Sequence, residues 1–269
     1  MKIDSLVRFP RLVLAKLALV ALACAQTSPT STAVSYTAAG IVNSASDAPD
    51  SLAPNSIATV YGTGLSYVTQ FPFLTMPASG VMPTQIGGVH VYVGGVSAPL
   101  YYVSPTQINF LVPTELRPGD MDFFTTHDGL AGPHVRITLH DAAPGLYPWG
   151  TGMIASTHAD GSVITKDRPA HPGETVVVYG TGLGRTYPEL QTGTIEMVAA
   201  QILLLSEFRV LVAGTALDSL SIQYAGITPG APGLYQVNLV LPKELAPDPE
   251  IRLSIGAQVS PPGMKLPVH

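Results

Sequence analysis

The stretch Val60-Tyr61-Gly62-Thr63-Gly64-Leu65 occurs twice in the chain, because it returns unchanged as Val178-Tyr179-Gly180-Thr181-Gly182-Leu183. A second pair of similar segments follows the two copies at a similar distance: Gln107-Ile108-Asn109-Phe110-Leu111-Val112-Pro113 and Gln236-Val237-Asn238-Leu239-Val240-Leu241-Pro242. Two motifs that recur together and in the same order indicate a duplicated unit of domain size. We therefore expect two tandem copies of one fold.

The hydrophobic pattern of each copy is that of β-strands. Four segments alternate apolar residues with polar or aromatic ones, as a strand with one buried face does: Val89–Val93, Val135–Leu139, Phe208–Val212 and Ile251–Ile255. In the first segment, His90 and Tyr92 are predicted to lie on the outer face. The sequence predicts an all-β protein of two tandem immunoglobulin-like antiparallel β-sandwiches, with closed barrels as the alternative. Residues 196–205 fit either a short helix or a buried strand.

The first 25 residues have the features of an export signal. Basic residues precede an apolar run over residues 17–23, and Ala23-Cys24-Ala25 has the small residues of a cleavage site. The run is too short for a spanning helix, which takes about 20 residues. We predict a signal peptide over 1–25 and a protein that is secreted or held in the periplasm or at the cell surface. Lipidation of Cys24, the single cysteine, is the alternative.

Composition narrows the range of partners. The chain has 13 basic and 18 acidic residues, and removal of the leader's four basic residues and one acidic residue leaves a formal charge of −8. Such a surface repels phosphate backbones, so we expect no nucleic-acid partner. The predicted mature chain contains no cysteine, so core packing has to stabilise it without disulfides.

The two copies divide the mature chain into two predicted domains. A flexible N-terminus is expected over 26–35, the first β-sandwich over 36–146 and the second over 147–269. The segment between them is very short, which predicts a rigid pair.

Several ordered motifs together resemble an uncharacterised family of modules, the Solibacter-type C-terminal domain of exported acidobacterial proteins. The motifs are Gly40-Ile41-Val42-Asn43-Ser44-Ala45-Ser46, Ala53-Pro54-Asn55-Ser56-Ile57, the two Tyr-Gly-Thr-Gly-Leu elements, the segment 98–109 and the segment 142–147. The resemblance covers nearly all of the predicted mature chain. It implies an exported bacterial protein with tandem folds similar to the IPT/TIG class of immunoglobulin-like sandwiches, and it implies no activity.

The repeated motifs are interpreted as structural. The Gly-Thr-Gly elements lack the third glycine and the following helix of a dinucleotide site. We expect Tyr61, Gly62, Gly64 and Leu65 to form a turn in which the leucine returns to the core. We expect the same turn in the second copy, at Tyr179, Gly180, Gly182 and Leu183. The amides of Gln107, Asn109, Gln236 and Asn238 are predicted to point away from the core and to bond neighbouring backbone, with ligand binding as the alternative.

Sequence patterns for metal or catalytic chemistry are weak. The seven histidines are scattered singly, and Asp120-x-Asp122 with His127-Asp128 has fewer carboxylates than calcium loops usually bring. Gly-x-Ser-x-Gly is absent. We predict no cofactor, no metal and no catalytic residues.

Recognition is expected in the loops that follow the Tyr-Gly-Thr-Gly-Leu elements. Aromatic residues there are candidate ligand contacts, because rings can stack on sugars or anchor a protein: Tyr67, Phe71, Phe73 and Tyr187. The alternative is that Phe71 and Phe73 pack the loop onto the sandwich. The sequence favours a non-catalytic module for adhesion, envelope assembly or polysaccharide binding, with a cell-surface protein as another partner. A hydrolase with a site at the domain junction is the alternative, and a spacer that pairs through an exposed sheet edge is a third hypothesis.

Overall fold

The computed structural model describes residues 33–75 and 80–269. The predicted signal peptide, Cys24 and residues 26–32 of the predicted flexible N-terminus lie outside the described residues. Within the described ranges the regular structure consists of antiparallel strands and four short 3-10 helices, at Ala38–Gly40, Pro72–Thr75, Leu205–Glu207 and Ser219–Ser221. The prediction of an all-β antiparallel fold is confirmed. None of the described helices has the length and apolarity needed to cross a membrane.

The described residues of the first half contain ten strands, nine of which form two main sheets, while β3 pairs with a strand of the second half. The strands are β1 (Ile41–Asn43), β2 (Ile57–Tyr61), β3 (Gly80–Val81), β4 (Val89–Val93), β5 (Val96–Ser97), β6 (Leu100–Val103), β7 (Gln107–Leu111), β8 (Gly119–His127), β9 (Leu130–Ala131) and β10 (Val135–Leu139). One sheet has the order β1-β2-β7-β6 and the other β10-β8-β4-β5, with β9 beside β8. A single hydrophobic cluster draws on both sheets, so the two sheets form a sandwich.

The second half has twelve strands and the same layered arrangement. They are β11 (Gly145–Leu146), β12 (Ser156–His158), β13 (Thr175–Thr181), β14 (Thr186–Tyr187), β15 (Thr194–Ile195), β16 (Ala200–Ile202), β17 (Phe208–Val212), β18 (Thr215–Ala216), β19 (Ile222–Ile227), β20 (Tyr235–Val240), β21 (Ile251–Ile255) and β22 (Gln258–Val259). A sheet of order β11-β13-β20-β19-β16-β14 packs on a sheet of order β18-β17-β21-β22 through a second hydrophobic cluster.

Alternate side chains of the predicted strands are buried, as the sequence pattern predicts. In β4 the three valines are fully buried while His90 and Tyr92 are half-buried on the other face. β17, β10 and β21 alternate in the same way. The undecided stretch 196–205 contains strand β16, in which Ala200 and Ile202 are buried.

Two backbone pairings involve residues close to the predicted domain limits. Ser35 exchanges backbone hydrogen bonds with Thr63, at 2.9 Å in each direction, so strand pairing begins inside the predicted flexible N-terminus. β11, placed in the first domain by the sequence, pairs with β13 of the second half. The last strand in the first half's sheets therefore ends at Leu139. The division into two domains itself stays a prediction.

A third hydrophobic cluster joins the two halves. It packs Tyr101 and Tyr102 against Tyr147 and Leu234, and the hydroxyl of Tyr101 donates to the carbonyl of Pro232. Ser44 Oγ and Tyr147 Oη lie 2.7 Å apart. Strands β3 and β15 also pair across the junction. Buried apolar packing combined with hydrogen bonding stabilises a fixed arrangement of the halves.

Candidate functional site

Four rings form a row on the outer face of the sheet β10-β8-β4-β5. We call this the outer aromatic row: His90 and Tyr92 on β4, Phe124 on β8, and His134 immediately before β10. The strand register produces the row, because Tyr92 pairs with Phe124 while Val135 pairs with Phe123. The side chain of His134 is 57% exposed, and the other three are half-buried.

The rings of the row are nearly parallel. Tyr92 and Phe124 have centroids 4.7 Å apart and planes at 14°, and Phe124 and His134 have centroids 4.3 Å apart at 19°. Rings at these distances stack on each other with an offset, so Phe124 is covered on both faces. The centroids of His90 and Tyr92 are 6.1 Å apart, which is too far for either ring to cover the other. The neighbour of Tyr92 on β5 is Ser97, which has a short side chain.

Polar side chains border the row on the same outer face. His134 Nδ1 lies 2.9 Å from Asp122 Oδ2, and Asp120 accepts hydrogen bonds from Thr138 Oγ1 at 2.9 Å and Arg136 Nη1 at 3.3 Å. Asp120 and Asp122 form the weak calcium-binding pattern of the sequence. In the structure their carboxylates contact the side chains of His134, Arg136 and Thr138. The described residues contain no group of three or more potential metal-ligating side chains.

The corresponding sheet of the second half has no such row. Its strand β17 places Arg209 and Leu211 on the outer face, and Leu211 pairs with Arg252 of β21. The central pair β17–β21 has the same register as β4–β8, so packing of the sandwich does not require rings at the positions of Tyr92 and Phe124. Alternation in β4 predicts that His90 and Tyr92 lie on the outer face, but it does not predict their contact with rings on other strands. The corresponding segments Val-His-Val-Tyr-Val and Phe-Arg-Val-Leu-Val differ at their outward positions. This difference was the sequence signal that the first sheet has rings on its outer face and the second has none there.

The predicted loop aromatics take different positions. Tyr67 is 48% exposed and packs on the ring of His127, with centroids 4.0 Å apart. Phe71 is half-buried and lies beside Phe73, which is fully buried in the cluster at the junction. Phe73 therefore has no surface for a ligand, as the packing alternative expects. Tyr187 is 76% exposed on strand β14. Ligand contact by Tyr67, Phe71 and Tyr187 stays a prediction.

The Gly-Thr-Gly segments make close backbone contacts. A Cβ atom on Gly62 would lie 2.4 Å from the carbonyl oxygen of Ser35, and one on Gly180 would lie 2.5 Å from that of Gly145. Gly64 and Gly182 have φ of +66° and +79°, which favour glycine. The two motifs thus have the same structural requirements, as the sequence predicts.

The other residues of the two motifs differ in burial. Leu65 and Leu183 return to the cores, each at 1% exposure, as predicted. Tyr61 is 42% exposed and donates to Asp47 Oδ1 at 3.0 Å. Tyr179 is buried at the junction, where desolvation raises the pKa of its hydroxyl.

The paired amides bond to each other. Gln107 Nε2 donates to Asn109 Oδ1 at 2.8 Å, and Gln236 Nε2 donates to Asn238 Oδ1 at 3.1 Å. Gln107 and Asn109 point away from the core of the sandwich, as expected, but they are buried, whereas Gln236 and Asn238 are half-buried. The first pair is buried because its sheet face is covered, and Thr59 Oγ1 donates to Asn109 Oδ1 at 3.1 Å.

Several grooves lie outside the aromatic row, and two of them are lined by residues at or beside the junction of the halves. One of about 410 Å³ runs between the halves and is lined by His140, Asp141 and Glu207 among others. It is the place at which the hydrolase alternative would put its site. The second, of about 290 Å³, is lined by Trp149, Gly150, Met153, Ile164, Thr165, Lys166 and Asp167.

Comparison with known proteins gives distant structural similarity. No family model and no curated protein matches the chain. The Bacteroides ovatus mixed-linkage glucan utilization locus protein SGBP-B, in complex with a mixed-linkage heptasaccharide, aligns at 11% identity and TM-score 0.34 over 91% of this chain and 46% of that one. A surface glycan-binding protein of Prevotella bryantii aligns at 13% identity and TM-score 0.26, over 88% and 41%.

An enzyme is also among the similar structures. The gamma-CGTase of Alkalophilic bacillus clarkii aligns at 11% identity and TM-score 0.28, over 90% of this chain and 27% of that one. The chain spans less than half the length of each of these three proteins. Similarity at this level says nothing about what this chain binds.

Proposed function

We propose that this protein is an exported, non-catalytic interaction module that binds polysaccharide through the outer aromatic row. The observation that supports the proposal is the asymmetry between the halves. A folding requirement has to be met by both sheets, whereas a binding site is needed once. The rings of Tyr92 and Phe124 occupy positions at which the second half has Leu211 and Arg252.

The chemistry of the row suits a sugar chain. A pyranose ring has apolar C–H faces and a rim of hydroxyl groups, so its binding surface combines an aromatic ring with donors and acceptors. Tyr92 supplies a ring beside the short side chain of Ser97, and His90 extends this surface along the strand. Asp122 and Thr126, on the same outer face, offer polar atoms beside the rings.

The charge balance favours a neutral polymer. Arg136 is paired with Asp120 and His134 with Asp122, so the row has no unpaired cluster of positive charge to attract an acidic polysaccharide. The predicted mature chain is itself acidic and repels polyanions.

Sedimentation with insoluble polysaccharides tests the proposal. The wild-type protein is incubated with cellulose, chitin, mannan and calcium pectate, and bound protein is measured in the pellet. We expect retention on at least one neutral polymer and a roughly five- to tenfold weaker retention of Tyr92→Ala, since loss of a stacking contact costs about 1–1.5 kcal/mol. Retention of wild type on none of them, or equal retention of Tyr92→Ala, contradicts the proposal.

Export and family membership are part of this proposal. The leader over 1–25 and the Solibacter-type motifs support both. Mass analysis of the mature N-terminus tests export, because cleavage before Gln26 gives an unmodified chain, whereas a lipid anchor leaves a modified Cys24 at the terminus.

A further inference from the structure

The single tryptophan of the chain lines a groove that the aromatic row does not include. Trp149 stands before a tight turn, in which its backbone N–H donates to the carbonyl of Met153 at 2.7 Å and Gly150 has φ of +86°. The indole is half-buried and packs against the cluster at the junction. Its remaining surface lines the 290 Å³ groove.

The opposite side of the groove is a second turn with charged side chains. Thr165 and Arg168 close this turn through backbone hydrogen bonds of 3.0 and 3.2 Å. Lys166 and Asp167 lie between them, are exposed, and form no ion pair within the described chain. The turn holds a donor and an acceptor next to the groove, and both remain available to a ligand.

Size and lining select the kind of ligand. The volume is at the lower end of the roughly 300–1,000 Å³ of small-molecule sites, which suits one ring-sized unit. Trp149, Met153 and Ile164 supply an apolar surface for C–H groups, whereas Lys166 and Asp167 supply polar partners for hydroxyls. Lysine and aspartate side by side favour a neutral ligand over one of either charge.

We propose that this groove, which we call the Trp149 groove, is a second sugar-binding site that takes one unit of a neutral oligosaccharide. Its ligand class rests on the proposed function, but its residues are separate from the row. Two sites on one rigid chain raise the overall avidity for a polymer without any new contact at either site.

The fluorescence of Trp149 tests this proposal directly, because the chain has no other tryptophan. Wild-type protein is titrated with cellotetraose, laminaritetraose, mannotetraose and chitotetraose, and with tetragalacturonate as the acidic probe. We expect a saturable change in emission with at least one neutral tetrasaccharide and none with tetragalacturonate. The double variant Lys166→Ala, Asp167→Asn keeps the reporter, and we expect its affinity to fall about tenfold or more.

Matched variants separate this proposal from the proposed function. Lys243→Ala with Glu244→Gln makes the same charge changes at exposed positions outside the groove and should leave the titration unchanged. Tyr92→Ala should also keep the emission change while its retention on the polymer falls.

Absence of an emission change with every neutral tetrasaccharide, or equal affinity of the Lys166→Ala, Asp167→Asn variant, overturns the second site. If the wild type still sediments with a neutral polymer, the proposed function of the row survives that result. An emission change in a protein that does not sediment with any polymer would support the Trp149 groove and contradict the proposed function of the row.

Discussion

Tyr92 and Phe124 stack across neighbouring strands, with centroids 4.7 Å apart and planes at 14°. Leu211 and Arg252 are directly opposite each other at the corresponding place in the other sandwich. An aromatic cross-strand pair stabilises a sheet by roughly 0.2–1 kcal/mol, so the rings also have a modest structural value. That value does not explain why one sheet has four rings in a row and the matching sheet has none of them.

The repeated glycine motif predicts a large stability effect at Gly182. A Cβ atom there would lie 1.9 Å from the carbonyl oxygen of Ala143, and φ is +79°. We expect Gly182→Ala to lower the free energy of unfolding by roughly 2–5 kcal/mol through steric overlap and left-handed backbone strain. Urea titration followed by circular dichroism measures this loss.

Gly214→Ala is the matched control. Gly214 has φ of +81°, but a Cβ atom there would meet no atom within 4 Å. Backbone strain alone should cost about 1–2 kcal/mol. Equal losses in the two variants would contradict the close approach of Ala143 and Gly182.

Phe73 and Tyr187 should differ sharply in their contribution to stability. Phe73 is fully buried and its ring centroid lies 4.9 Å from that of Tyr101, so Phe73→Ala should cost about 3–5 kcal/mol. Tyr187 is 76% exposed, and Tyr187→Ala should change stability by less than about 0.5 kcal/mol. Thermal unfolding checks both, and a small effect of Phe73→Ala would return that residue to the candidate ligand contacts.

The fold was predictable from the sequence because strand alternation and duplicated turns are local signals. The buried valines of β4 and the core positions of Leu65 and Leu183 follow directly from those patterns. The pairing of Gly145-Leu146 with the second half was not predictable, because this segment has no local sign of which sheet it joins. Its pairing with β13 depends on contacts more than 30 residues away.

Alkaline pH should destabilise the junction. Burial raises the pKa of Tyr101 and Tyr147 above the ordinary value of 10. The folded state therefore binds more protons than the unfolded state above pH 10, and the free energy of unfolding falls as pH rises from there. Below pH 10 both states are protonated, and this contribution is fully present.

Tyr147→Phe tests the origin of that alkaline loss. The variant loses the hydrogen bond with Ser44, so about 1 kcal/mol is lost at neutral pH, but its stability should fall less steeply above pH 10. Urea titrations at pH 8, 10 and 11 measure the slope. An unchanged slope in Tyr147→Phe would show that folding does not raise the pKa of this hydroxyl.

The candidate site was harder to predict than the fold because it is assembled from separate strands. His90 and Tyr92 were placed on an outer face by alternation, but Phe124 joins them through the register of β4 and β8. His134 joins through the register of β8 and β10. The sequence instead suggested aromatic residues in loops as ligand contacts. One of them, Phe73, is fully buried in the structure.

The most direct measurement exchanges the row for the residues that the other sandwich already accommodates. The variant Tyr92→Leu, Phe124→Arg copies the Leu211–Arg252 pair, so it should remain folded, as circular dichroism checks. Leu211→Ala with Arg252→Ala is the control on the second sheet. On the neutral polysaccharide that retains the wild type, we expect the exchange variant to lose at least tenfold in retention and the control to bind as the wild type does. A folded exchange variant that binds as strongly as wild type would contradict this expectation.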